Sequence, residues 1–385
     1  MAAQPRPSNG DTRLTGEILE LAGRHDFDLA AVAPVERLPA ALRLEEWLSR
    51  GMHGTMEWMA RNAERRADPA RLLPGARSVL IVAMSYWTDD EPAHGGDRGC
   101  ISRYAWGDEY HQVLGERLEA LWGAIRELIP GVEGRWYVDT GPVLEKAWAE
   151  RAGVGWIGKH TNLISQRLGS WIFLGAVVMD AELAPGEPHA DRCGTCRACI
   201  DVCPTGALVA PRVLDSRLCI SYLTIEHRGP VPRELRPAIG NRVFGCDDCQ
   251  EACPWNAKAA PAEEAAFWPR EGNLLPELSS LAGLSEEAFA SKFRGSAVRR
   301  TKRRGFVRNV MIALGNSGRP EAVTPLEHGL ADAEPLVRGH AAWGLGAIGG
   351  HRARAALRRA FETESDGWVR EEIDAALRAA SGGAR

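Results

Sequence analysis

Residues 193–204 read C-G-T-C-R-A-C-I-D-V-C-P, setting Cys193, Cys196, Cys199 and Cys203 at C-x2-C-x2-C-x3-C spacing with Pro204 directly behind. Bacterial proteins use this spacing to hold iron–sulfur clusters on thiolates. A second block follows: Cys219, then C-D-D-C-Q-E-A-C-P, which supplies Cys246, Cys249, Cys253 and Pro254. Eight of the nine cysteines therefore lie in two blocks, enough for two 4Fe-4S clusters. Where two clusters share a small domain, the cysteine before the proline ligates the other cluster. The expected sets are Cys193, Cys196, Cys199 and Cys253 on one cluster, and Cys203, Cys219, Cys246 and Cys249 on the other. Zinc sites also use C-x2-C pairs, but they need four ligands and give no reason for the proline. Cys100 stands outside both blocks and reads as a small buried apolar residue.

The chain has 385 residues, so two or three domains are expected. Its opening, MAAQPRPSNGDTRLTG, has no apolar leader, which argues against secretion and a disulfide framework. The longest apolar runs, Val79–Met84 and Trp171–Met179, are half the length of a membrane span and read as buried strands. The expectation is a cytoplasmic monomer with no membrane partner. Net charge is −4, yet nine Lys or Arg and no acid lie between Ala288 and Pro320. Taking those nine positive charges away leaves −13 on the rest of the chain. A basic patch on an acidic protein points to a polyanionic partner.

Residues 1–185 alternate strands with helices. Helices are expected over Thr12–His25, Pro39–Arg50, Asp108–Ile129 and Val143–Ala152, and strands over Leu29–Ala33, Ser78–Tyr86, Arg135–Val138 and Ser170–Asp180. In the long helix Leu114, Leu118, Leu121, Ile125 and Leu128 share one face. This is an α/β domain whose strand order the pattern does not give. Residues 186–260 form the ferredoxin-like two-cluster domain; its insert Ser221–Gly245 is long for a ferredoxin, so the stretch S-Y-L-T-I-E-H-R-G-P (221–230) could return to the first domain. Residues 261–303 read as a linker with short helices and the basic segment. From 304 to 385 Val-Arg pairs recur at 307, 337 and 369, a period of 30 and 32 residues that indicates a HEAT-like α-helical repeat domain.

This combination resembles the epoxyqueuosine reductase family, the iron–sulfur and cobalamin enzymes that complete queuosine in tRNA. The resemblance runs from about Leu14 to Leu377. It is carried by I-S-R-Y-A-W-G-D-E-Y-H (101–111), Y-V-D-T-G-P-V-L-E-K (137–146), G-W-I-G-K-H-T-N-L-I (155–164), C-I-S-Y-L-T-I-E-H-R-G (219–229), N-R-V-F-G-C-D-D-C-Q-E-A-C-P-W-N (241–256) and T-K-R-R-G-F-V-R-N-V-M-I-A-L-G-N (301–316). It implies that the α/β domain binds cobalamin, base-off. The chain lacks D-x-H-x-x-G, the motif that supplies a lower histidine ligand in many cobalamin enzymes, which is consistent with the family and is also what a chain without cobalamin would show. It implies reduction of epoxyqueuosine at the tRNA wobble position, with electrons drawn from an unidentified low-potential donor.

The family's proton donor falls at Asp139, which ends a strand and precedes the Gly141-Pro142 turn. To hold a proton near neutrality its pKa must be raised, by burial against the corrin. The alternative is a helix N-cap before Val143–Ala152. Lys159, His160, Thr161 and Asn162 follow glycines in a loop that could approach a planar cofactor closely, with Arg103, Tyr104, Ser221 and Tyr222 as further contacts. For RNA phosphates the candidates are Arg299, Arg300, Lys302, Arg303, Arg304 and Arg308; the bland reading of this run is a solvated helix face. Trp255, Trp268, Trp343 and Trp368 are either stacking platforms or core. Two competing readings are a dehalogenase-like cobalamin reductase of a small molecule, which has no use for the basic tail, and a non-catalytic electron carrier, which has none for the α/β domain.

Overall fold

The computed structural model describes residues 11–90 and 96–382; residues 1–10, where a leader would begin, lie outside them. The first domain is built on one four-stranded sheet. Leu29–Pro34 pairs with Ser78–Ser85, which pairs with Ile172–Met179, which pairs with Gly134–Tyr137. Every pairing is antiparallel, a topology that the strand–helix alternation does not reveal. Ser78–Ser85 is buried at all eight positions, and side-chain alternation splits it between two cores. Leu80, Val82 and Met84 meet Leu114, Leu118, Leu121 and Ile125 of the helix Tyr110–Leu128, with Ile18 of Thr12–Arg24 beside them. Val79, Ile81 and Ala83 meet Trp148 and Ala152 of Glu145–Ala152. The result is a helix–sheet–helix sandwich. Only Leu128 of the expected apolar face fails to enter the core, because it closes the helix at the surface.

The cluster domain has little regular structure, a turn of helix at Ala198–Asp201 and another at Asp248–Glu251 around a short hairpin. The expected stretch of its insert does return to the first domain, where the Tyr222 hydroxyl receives the Thr55 N–H, and further along the insert Arg242–Phe244 runs parallel to Cys100–Ile101. Cys100 is half-buried there, and burial pushes its thiol up to about 12. The insert also reaches the tail. Arg236 and Glu372, almost fully buried, form a two-pronged ion pair with both distances 2.8 Å. Removing one partner strands a buried charge, so Glu372→Ala is expected to cost about 3–5 kcal/mol, read as a fall in melting temperature.

The tail stacks the helices Lys302–Asn316, Pro335–Ile348 and Gly367–Gly382, joined by Val323–Gly329 and Gly350–Thr363. Val307, Val337 and Val369 are wholly buried in one shared core. A Cβ on Gly315 would stand 2.6 Å from the Gly344 Cα, so the first two stacked helices cross where glycines remove the side chain. The segment 261–303 is no linker in its second half: Leu278, Phe289, Phe293 and Val298 pack in the same core as Phe306 and Val310. Trp343 and Trp368 are packed residues, whereas Trp268 is largely exposed. No helix among the described residues is long and apolar enough to cross a membrane.

Candidate active site and cluster centre

The strand Gly134–Tyr137 feeds the turn that aims Asp139. Asp139 has φ 53°, a left-handed conformation that aspartate tolerates better than most residues and that gathers at functional sites. A Cβ on Gly141 would lie 2.3 Å from the Tyr137 ring, so the turn closes only with glycine there. The following helix starts at Glu145 with Leu144 at its cap and no side-chain cap bond, which removes the N-cap role from Asp139. Instead the Tyr110 hydroxyl donates to Asp139 Oδ2 at 2.7 Å, and His111 Nε2 lies 3.4 Å from the same oxygen. On the far side of the imidazole, Nδ1 is 2.6 Å from Glu109 Oε1. Tyr110 stacks parallel on Phe173 at 4.4 Å, which fixes its hydroxyl.

Burial pushes the Asp139 carboxyl up, but the bonds from His111 and Tyr110 and the charges of His111 and Lys146 outweigh it. The carboxyl therefore sits below the usual range; the rise expected from the sequence is one that burial against the corrin would cause. His111 moves the other way. Burial lowers it, yet its bonds to Asp139 and Glu109 prevail and push it up to about 9. Glu145, driven by burial and by the Asp139 charge, rises to about 7, and one of its oxygens is buried without a partner.

Two cavities adjoin, sharing Tyr104 and Ile225. One, of about 320 Å³, has Cys203, Cys219, Cys246 and Cys249 in its wall, with Tyr104, Lys146, His160, Thr161, Asn162 and Ser221 around them. The other, of about 1070 Å³, runs from Asp139 and His111 to Arg294, Arg299 and Arg300. His160 Nδ1 accepts the Asn162 backbone N–H at 3.2 Å, so its neutral ring carries the proton on Nε2. That nitrogen is buried with no partner, and burial together with Lys146 lowers the ring to about 4.

Five sequence candidates are placed elsewhere. Arg103 is buried over the Trp106 ring and donates to the Thr88 and Asp90 carbonyls, so it braces the wall from behind. Lys159 Nζ donates to the Gly194 and Cys196 carbonyls at 2.7 and 2.6 Å and clamps the first cysteine loop. The Tyr222 hydroxyl receives the Thr55 N–H at 2.8 Å and ties the insert to the first domain. Arg308 is wholly buried and donates to the Leu223, His227 and Gly229 carbonyls; it cannot reach a phosphate. Arg303 is tied to Asp332 and the Leu284 carbonyl, mostly out of solvent. Arg299, Arg300, Lys302 and Arg304 remain exposed, with Arg300 paired to Glu226. Glu109, Tyr110, His111, Glu145 and Lys146 were given no role from sequence, although all lie within the quoted motifs.

Cys203, Cys219, Cys246 and Cys249 share one cavity wall. Cys253 packs beside Cys193, and Cys199 lies in the field of Cys253, Cys193 and Cys196. Burial pushes the Cys219, Cys246 and Cys249 thiols up, so ionising them calls for adjacent positive charge, which cluster iron supplies. No three His, Cys, Asp or Glu side chains among the described residues converge on a single-ion site, and cluster thiolates, each on its own iron, need not.

A family model for a 4Fe-4S double cluster binding domain matches residues 192–256, and one for HEAT repeats matches 304–378. With four of these cysteines lining one cavity and a held carboxylate lining the adjoining one, this is an iron–sulfur oxidoreductase. A third model, described as epoxyqueuosine reductase QueG, DUF1730, matches residues 66–140. The chain is 40% identical over 349 residues to the epoxyqueuosine reductase of Xanthomonas campestris pv. campestris, covering 89% of this chain and 97% of the relative. It is 42% identical to that of Escherichia coli K12, covering 84% of each. The chain belongs to the epoxyqueuosine reductase family, whose reaction reduces epoxyqueuosine to queuosine. Among solved structures, an epoxyqueuosine reductase with an epoxyqueuosine-modified tRNA stem loop matches with TM-score 0.90 and 31% identity, covering 96% of this chain and 99% of that one. The Bacillus subtilis enzyme, with its catalytic aspartate loop swung out of the active site, matches with TM-score 0.89 and 31% identity over 95% and 99%.

Proposed function

We propose that the enzyme reduces epoxyqueuosine within an intact tRNA anticodon loop, that cobalamin occupies the cleft between the cysteines and Asp139, and that Asp139 is the proton donor. The observation that carries this reading is the adjoining pair of cavities, with four cluster cysteines lining one and Asp139 facing three arginines across the other. Tyr104, His160, Thr161, Asn162 and Ser221 would hold the cofactor; the unpartnered His160 Nε2–H and the cavity volumes suit a large ligand with amide acceptors. When bound, cobalamin supplies low-potential electrons at the reacting carbon. The protein's own residues do the rest. Tyr110 and His111 hold the Asp139 carboxyl at the cleft, and a filled cleft strips water from it, which favours the protonated acid.

Anaerobic reconstitution with iron, sulfide and cobalamin, followed by incubation with tRNA from cells lacking the enzyme, tests the reading. Mass spectrometry of the digested nucleosides should show queuosine formed only with cobalamin and only from tRNA. Turnover of the free nucleoside at the same rate would instead favour a small-molecule reductase. Intact clusters without bound corrin would favour an electron carrier.

For RNA, the exposed Arg299 and Arg304 are assigned to phosphates and the buried Arg308 to the fold. Changing Arg299 and Arg304 to Ala is expected to weaken tRNA binding and to lower the salt slope by about 0.7–0.9 for each phosphate no longer neutralised. Arg308→Ala should lower the melting temperature instead. An unchanged slope in the double variant would move the RNA surface elsewhere.

A further inference from the structure

Turning an epoxide into an alkene breaks both C–O bonds and releases the oxygen as water. Two electrons enter at carbon, and the oxygen collects two protons. Asp139 can carry only one. Its carboxyl must therefore be refilled between the first bond breakage, which leaves an alkoxide, and the second, which expels hydroxide. We propose that Glu109, His111 and Asp139 form a proton line in which His111 stores the second proton and passes it to Asp139, making His111 a positioning residue of the reaction.

The geometry supports each link. His111 Nε2 lies 3.4 Å from Asp139 Oδ2, and Nδ1 lies 2.6 Å from Glu109, whose charge balances the imidazolium. The His111 side chain is one-third exposed, so solvent can restore its proton after turnover. Glu109 is fixed from two directions: its carboxylate caps the helix Tyr110–Leu128, and its backbone N–H donates to the Gly295 carbonyl at 2.9 Å. Tyr110, donating to Asp139 from a half-buried ring whose hydroxyl is held well above its usual range, orients the carboxyl and keeps its own proton. The other charged or titratable groups facing this line are Tyr104 beside it, Arg66, Glu145 and Lys146 around Asp139, and Glu226, Arg294, Arg299 and Arg300 across the cavity. With His111 raised to about 9, the store is full at neutral pH and empties as pH rises through that value.

The inference rests on Asp139 being the donor, and the test separates the two. Single-turnover rates on a modified tRNA stem loop would be measured against pH for the reconstituted full-length enzyme and for His111→Gln, Glu109→Gln and Asp139→Asn. The wild-type rate should fall above about pH 9. His111→Gln should be slowed roughly 10²-fold with that alkaline limb gone and stem-loop affinity unchanged. Glu109→Gln should move the limb to lower pH, because the imidazolium has lost its counter-charge. A His111→Gln enzyme that keeps the wild-type limb, or loses only affinity, overturns the proton line. If Asp139→Asn turns over like wild type, the donor assignment itself fails and the line falls with it.

Discussion

Asp139→Asn is expected to slow turnover roughly 10²- to 10⁴-fold, the range that a positioned general acid contributes. Cluster content, corrin absorption and stem-loop affinity should be preserved. Asparagine suits the test because it shares aspartate's tolerance of the left-handed backbone at φ 53°. Its amide oxygen can still accept the Tyr110 hydroxyl. What it cannot do is hand over a carboxylic proton. A loss of affinity with unchanged single-turnover rate would show that Asp139 positions the substrate and donates nothing. The slowing should also survive lowering the pH, since an amide cannot be protonated into an acid in this range.

The second large effect concerns the crossed ligation. A chain changed at both Cys203 and Cys249 to Ser loses ligands of one cluster if the sets are crossed, and of both if they follow chain order. Crossed ligation predicts that iron falls from about eight to about four atoms per chain, with one cluster still visible by electron paramagnetic resonance after reduction. Sequential ligation predicts none. Either way queuosine formation should drop to background, because the lost cluster is the one whose cysteines line the cavity wall. Thermal stability should fall as well, since the two-cluster domain has few helices and strands of its own and leans on metal–thiolate bonds.

Much of this was written plainly in the sequence. The cysteine spacing announces its chemistry because each ligand must stand at a fixed place on a tight loop. The eight-residue buried strands announce themselves by unbroken apolar runs. Charge reads less well, and Arg308 shows why. It lies in the most basic stretch of the chain, yet it also occupies the second position of the Val-Arg repeat. In the other copies, Arg338 bonds to Glu364 and Arg370 lies over Phe361 while donating to the carbonyls of Phe361 and Glu364. The repeat was thus the better guide: an arginine recurring at one register is a brace for the adjoining loop. The Glu109–His111–Asp139 contact was hidden for another reason. It joins a helix start to a strand end some 30 residues away, and the antiparallel order that brings them together leaves no periodic trace.

The exposure of Asp139 bears on economy as well as on rate. A strong reductant in water is always at risk of wasting its electrons on stray protons, most of all when an acid stands permanently beside it. On the proposed reading Asp139 is disarmed while the cleft is open, because the bonds from Tyr110 and His111 keep its carboxyl charged. On the same reading it is armed only once substrate fills the cleft and strips water from it. An enzyme that waits for a scarce modified nucleoside can therefore idle fully reduced without leaking its fuel to solvent.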